Sequence, residues 1–210
     1  MDAVIKKYSY VSDRFASVDG RAVLGLALPG EEPFLTALYR ALQIEYPKFY
    51  KMDTLSKLGF LAAEFIFARD EHRFARGEEV AVICLNRSSS LETDTRYQAT
   101  IRPASAYFPS PSLFVYTLPN IVTAEIAIRN KLYGETAFYL LEAFDACAIF
   151  ERVSEAFQDA ATRAVLVAWV ESFEDTHEAF MMLVESNGDL FDTPFVEESI
   201  VELYKRSRNG

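Results

Sequence analysis

Cysteine and histidine are scarce. The 210 residues hold two of each, Cys84 and Cys147, His72 and His177. So few thiols exclude a disulfide framework. Two imidazoles exclude a histidine-rich zinc centre within one chain, and the two cysteines are too far apart for zinc-ligand spacing. Positive charge is also short: 21 Lys and Arg face 31 Asp and Glu, a formal net charge of −10. Nucleic acid and acidic membrane surfaces are therefore poor partners. No apolar run reaches the roughly 18–20 residues that span a bilayer. The opening MDAVIKKYSY lacks the apolar core and cleavage site of a signal peptide, which makes the cytoplasm the expected compartment. Glycine-rich phosphate loops and the G-x-S-x-G elbow are missing, as are repeats and low-complexity linkers. No cofactor and no metal are expected.

Hydrophobic residues make up half of the chain, with 17 Phe and 11 Tyr. That is enough bulk for a core, and the length fits one large domain. Both cysteines lie in apolar surroundings and read as reduced, buried, small hydrophobes. Apolar runs mark strands at 21–28, 79–86, 136–143, 164–172 and 179–186. Helical periodicity and terminal signals mark helices at 31–46, 51–70, 91–101, 118–134 and 146–157. Asp53 and Asp145 are candidate caps, Pro47 ends the first helix, and Gly134 stops the fourth. Residues 102–112 read as irregular, and EESIVELYKRSR (197–208) as a final helix or a frayed end. Strands alternating with helices predict a mostly parallel sheet with helices on both faces. The last two strands have only a short connection and should pair antiparallel.

Isolated polar groups suggest little chemistry. His72 sits in a charged helix end and His177 in a predicted loop. Glu174, Asp175, His177 and Glu178 could ligate a metal, but such acidic loops are usually solvated. Asp13, Asp19, Glu92, Asp94 and Glu142 could serve as acid–base carboxylates, with nothing to select them. Lys48, Lys51 and Lys57 form one basic cluster, and Arg69, Arg73 and Arg76 another.

Four longer segments carry a resemblance. KMDTLSKLGFLAA, VAVICLNRSSSLET, PSLFVYTLPNIVTAEIAIRNKLYGE and AVLVAWVES occur in order with the spacing of the N-terminal half of β-ketoacyl-acyl carrier protein synthases. These enzymes belong to the thiolase-like superfamily. The similarity is clearest over residues 48–186, within one domain expected to span 1–210. It implies a five-stranded sheet, four strands parallel and the last antiparallel, flanked by helices.

The same resemblance implies a nucleophilic cysteine where a buried strand turns into a helix, because a helix N-terminus favours the thiolate. Its histidines come from the second half of the enzyme. Counted from Gly134, that position is Ala143, surrounded by Glu142, Phe144 and Asp145. Cys147 comes four residues later, about one helical turn on. The expected function is a non-catalytic ketosynthase-like protein of fatty-acid or polyketide-type biosynthesis, acting as partner subunit or as an acyl- or carrier-protein-binding module. The alternative is a small acyl-transfer enzyme using Cys147 with Glu142 or Asp145. The implied partners are a second copy through the strand Thr136–Leu141, a full-length ketosynthase, and an acyl carrier protein, whose acidity basic patches would meet. Helices that are central in a full ketosynthase would lie exposed, which favours dimerisation.

Overall fold

The computed structural model describes residues 2–23, 32–68, 70–71, 73–75, 77–102, 107–189 and 191–208. A single mixed sheet runs through it. Its strands are β1 (Val4–Ser12), β2 (Ala16–Val18), β3 (Arg21–Ala22), β4 (Val80–Asn86), β5 (Thr136–Leu140), β6 (Ala164–Phe173), β7 (Thr176–Glu185) and β8 (Thr193–Pro194). The order is β3-β2-β1-β7-β6-β4-β5, with β8 paired to β1.

The expected five-stranded, mostly parallel sheet is thus corrected to eight strands. Among the described residues only β4–β5 and β4–β6 pair in parallel; the other ladders are antiparallel. The main cause is β1, whose VIKKYSYVS hides a strand behind lysines, serines and tyrosines. It lies between β7 and β2 and is buried on both faces over most of its length. Tyr8 and Tyr10 belong to one core layer and Val11 to the other. Ser9 Oγ donates to Ala62 O at 2.9 Å, which satisfies a hydroxyl that burial would otherwise penalise.

The β6–β7 hairpin is antiparallel as its short connection requires, turning through Glu174 at φ 53°. It takes in His177, which lies in a strand and not in a loop. Of the strand expected at 21–28, Arg21–Ala22 is seen as β3, and 24–28 lie outside the described residues.

The helices are α1 (Phe34–Ala41), α2 (Thr54–Phe67), α3 (Leu91–Ile101), α4 (Pro111–Val115), α5 (Ile121–Asn130), α6 (Ala146–Ala156) and α7 (Glu197–Arg208). Several ends differ from expectation for local reasons. α1 stops before Pro47, where Gln43 turns left-handed at φ 53°. α4 begins at the end of the segment read as irregular and runs past it, capped by Ser110 and begun by Pro111. α5 stops at Lys131, left-handed at φ 54°, and not at Gly134. Gly134 is needed for a close approach instead: a Cβ there would sit 2.4 Å from Val80 O.

Helices α1, α2 and α5 share one core layer with the sheet; α6 and α7 share the other. α2 is apolar nearly all round and buries 12 of its 14 residues. Asp53 starts it by accepting from Ser56 N at 2.9 Å. The outward residues of α6 are Cys147, Glu151 and Glu155. The outward face of α6 is therefore largely polar and charged. No helix among the described residues is long and apolar enough to cross a membrane.

Candidate functional site

The β5–α6 turn is built by three local devices. Leu141 N donates to Asn86 O at 2.8 Å, which ties the end of β5 to the end of β4. Asp145 caps α6, its Oδ1 accepting from Cys147 N at 2.9 Å and Ala148 N at 3.2 Å. Between them the side chain of Phe144 turns inward. It stacks on Tyr204 at 3.8 Å between centroids and meets Trp169 and Phe180 edge-on. A bulky ring thus fills the space beneath the turn, while Glu142 and Ala143 are exposed above it.

Ala143 and Cys147 line one open cleft of about 990 Å³ between the turn, the start of α6 and the side of α7. Its apolar floor is Leu141, Ala143, Phe144, Val201 and Tyr204; Glu142, Asp145, Glu197, Lys205 and Arg208 stand round it. Cys147 is exposed, which corrects the expectation that both cysteines are buried. The helical position would favour its thiolate. The carboxylate of Glu197 opposes this most strongly, with Glu151 and Asp145 adding to it, and the thiol is pushed above its ordinary range. Cys84 is fully buried in β4 and pushed up to about 12 by burial alone.

Two carboxylates lie under this corner, Glu171, which the sequence reading missed, and Glu178, named there only as a possible metal ligand. Glu171 and Glu178 face each other across β6 and β7 and are 2% and 4% exposed. Glu171 Oε2 accepts from Arg87 N at 2.8 Å and Ser88 N at 3.3 Å, which fixes the loop after β4. Glu178 accepts from Tyr10 OH at 2.9 Å and Tyr204 OH at 2.5 Å and pairs with Arg208 at 3.2 Å. Burial and the Glu178 charge push both phenols well above their usual range. Glu178 therefore seats α7 against the sheet. Neither glutamate stands out locally, because each gains its meaning from partners far away in the chain.

The remaining candidates are dispersed. Ser172 Oγ donates to Glu92 Oε2 at 2.6 Å and lies 3.2 Å from His177 Nδ1. Serine is the middle member, whereas nucleophilic activation needs histidine between serine and acid. Even strand neighbours separate the acidic loop: His177 faces Ser172, and Glu178 faces the tyrosines on the opposite side. Among the described residues no three His, Cys, Asp or Glu side chains are grouped to hold a metal. Asp13 pairs with Arg14, and Asp19 accepts from Tyr8 N. Burial raises the Asp94 carboxyl.

Three members of the basic clusters are also engaged. Lys48 binds the buried Glu125 at 2.8 Å, and Lys57 lies over the Phe49 ring with its pKa lowered, chiefly by burial. Arg73 is held by Glu64; Arg69, Arg76 and His72 lie outside the described residues.

No family model matches the sequence, and no curated protein matches it. Solved structures do match. "The ishigamide ketosynthase/chain length factor" superimposes with TM-score 0.64 at 14% identity, covering 92% of this chain and 64% of that one. A chain from the Xenorhabdus doucetiae ketosynthase ApeO in complex with its chain length factor ApeC gives TM-score 0.61 at 13% identity, covering 100% and 93%. A β-ketoacyl synthase from Burkholderia phymatum STM815 gives 0.56 at 14% identity, covering 89% and 59%. This chain thus spans about three-fifths of the first and last of these and nearly the whole of the second. At such identities the likeness is one of architecture, and the chain has the thiolase-like fold of ketosynthase and chain-length-factor structures.

Proposed function

We propose that this protein is a non-catalytic ketosynthase-like partner subunit of fatty-acid or polyketide-type biosynthesis, working in the cytoplasm as one domain. One observation carries the reading. At the turn where a condensing enzyme keeps its nucleophile, the count from Gly134 sets Ala143, and Phe144 plugs the space below by stacking on Tyr204. Glu142, Ala143, Phe144 and Asp145 are then the remnant of an active-site turn. Glu171 and Glu178 keep its surroundings rigid.

The partner is a chain of the same fold joined along β5, either a full-length ketosynthase or a second copy. Similar structures come from a ketosynthase with its chain length factor and from a ketosynthase with a type II polyketide acyl-carrier protein, which supports such company. A carrier protein is the weaker partner, because Lys48 and Lys57 already have contacts within the chain.

The acyl-transfer alternative fares worse. Cys147 has the exposure a nucleophile needs, but the Glu197 carboxylate pushes its thiol pKa up, and no histidine stands beside it among the described residues. The test is incubation with radiolabelled acyl-carrier protein followed by denaturing gels. No label should stay on the protein; label on Cys147 that is lost in Cys147→Ser would overturn the proposal.

A further inference from the structure

The two ends of α7 are held in different ways. The start is anchored to the fold. Phe195 N donates to Ala3 O at 2.9 Å, Phe195 stacks on Phe150 at 5.5 Å between centroids, and Ile200 is fully buried. β8, just before it, pairs with Val4 and Ile5. The far end, Tyr204–Arg208, buries Tyr204 and Ser207. Its polar hold is Glu178, which takes Tyr204 OH on one oxygen and Arg208 on the other. Its apolar hold is the ring of Phe144.

Two hydroxyls oppose that arrangement. Ser207 Oγ in α7 and Ser17 Oγ in β2 are both buried without a hydrogen-bond partner. Ser17 stands directly opposite Tyr10 in the β1–β2 ladder, so it shares the face of the sheet on which α7 lies. The last turn of α7 comes close to the adjoining β2–β3 turn: a Cβ on Gly20 would sit 2.9 Å from Arg206 Nε. A hydroxyl buried without a partner has lost its water and gained nothing in return.

The same end of α7 closes the β5–α6 turn. Phe144 fills the space beneath the turn, with Tyr204 face to face and Trp169 and Phe180 edge-on. Without Tyr204 the Phe144 ring has no stacked partner, and Glu178 keeps the Tyr10 hydroxyl alone.

We propose that the C-terminal end of α7, Tyr204–Arg208, is a latch. It opens while the sheet and the start of the helix stay folded, and its opening unplugs the recess beneath the β5–α6 turn. In the closed state Tyr204 and Arg208 occupy Glu178, and Phe144 shuts the recess. In the open state water reaches Glu178 and both serines. Ring burial favours closing, and the unpaired hydroxyls favour opening. Local openings of this kind occur below the cost of global unfolding. The inference rests on the functional proposal only for the meaning of the turn that the latch closes.

The test is hydrogen exchange by mass spectrometry on the full chain, with acrylamide quenching of Trp169, the single tryptophan, which is 4% exposed. Amides at 204–208 should exchange at least about tenfold faster than those of β6, at a rate that low urea leaves unchanged, because the opening exposes little surface. A frayed end would do the same, but the latch makes two further demands. Ser17→Ala, outside α7, should slow exchange at 204–208 about threefold, since closing no longer buries an unpaired hydroxyl there. Tyr204→Phe keeps the ring and removes the bond to Glu178. It should speed that exchange about tenfold and increase quenching of Trp169. Neither change creates a large cavity or a charge, and the far-ultraviolet circular dichroism should stay that of the wild type. The proposal is overturned by exchange at 204–208 only through global unfolding, by exchange in Ser17→Ala that is unchanged or faster, or by unchanged Trp169 quenching in Tyr204→Phe. Each of these leaves the acylation result standing, and label on Cys147 leaves the latch standing, so the two proposals fail separately.

Discussion

Helices α2 and α3 begin at the same corner, joined by Thr54 Oγ1 to Glu92 Oε1 at 3.1 Å and Thr93 Oγ1 to Asp53 Oδ2 at 2.9 Å. Beyond that corner they diverge. α2 is apolar nearly all round and lies against the sheet, with Gly59 so close to Val122 that a Cβ would come within 2.5 Å. α3 is polar along most of its length and continues into an arm whose apolar groups face outward. The first helix supplies stability and the second supplies surface, and substitutions should separate the two roles.

The largest effect belongs to α2. Phe60 is almost fully buried, and Phe60→Ala should cost about 3–5 kcal/mol in urea unfolding. A loss under about 1 kcal/mol would mean that α2 is not the packing centre. Next comes the seat of α7. Glu178→Ala leaves the buried Tyr10 and Tyr204 hydroxyls without their acceptor, at about 2–3 kcal/mol. Hydrogen exchange along α7 should quicken more than along α2; equal change in both would deny Glu178 a local role.

The shared corner comes third. Asp53→Ala removes a cap from α2 and a tether from α3, worth about 1 kcal/mol. Burial is the main cause that raises the Asp53 carboxyl above its ordinary value. The folded state then binds the proton more tightly than the unfolded one. That contribution is complete below the ordinary aspartate range and fades as pH rises through the raised value. The stability gap between wild type and Asp53→Ala should accordingly be wider in acid than at neutral pH; a gap that widens with rising pH contradicts the shift.

The smallest effects lie on the surface. At concentrations where the chain is single, Phe114→Asp in the arm should alter stability by no more than about 0.5 kcal/mol. Iodoacetamide should label Cys147 slowly at neutral pH despite its exposure, and Glu197→Gln should speed labelling a few-fold, because the nearest opposing charge is gone. Cys84 should react only on unfolding. Rapid labelling of wild-type Cys147 would restore it as a nucleophile.

The reasons why some elements were legible are local. β4 announces itself as VAVICLN, seven buried residues in a row. α2 and α6 each begin at an aspartate whose side chain accepts from the helix's first amides. The hairpin β6–β7 follows from the shortness of its connection. Illegibility has equally specific causes. β1 needed β7 and β2 on its flanks before KKYSY could be buried. The start of α4 was read as irregular because that helix is short and held by one capping serine and one ring contact. Cys147 looked buried because its sequence neighbours are apolar, yet its helical position points it to solvent beside Glu197.

By itself the sequence determined an α/β chain with its main helices, the parallel β4–β5–β6 segment, the antiparallel hairpin, and a strand-to-helix turn capped by Asp145. These depend on periodicity, caps and connection length, all of which act over a few neighbouring residues. Tertiary structure alone decided that β1 lies inside the sheet, that Glu178 seats α7, that Phe144 plugs the turn, and that α3–α4 stands uncovered. Each of these depends on groups distant in the chain, whose burial and hydrogen bonding exist only once the sheet has brought them together.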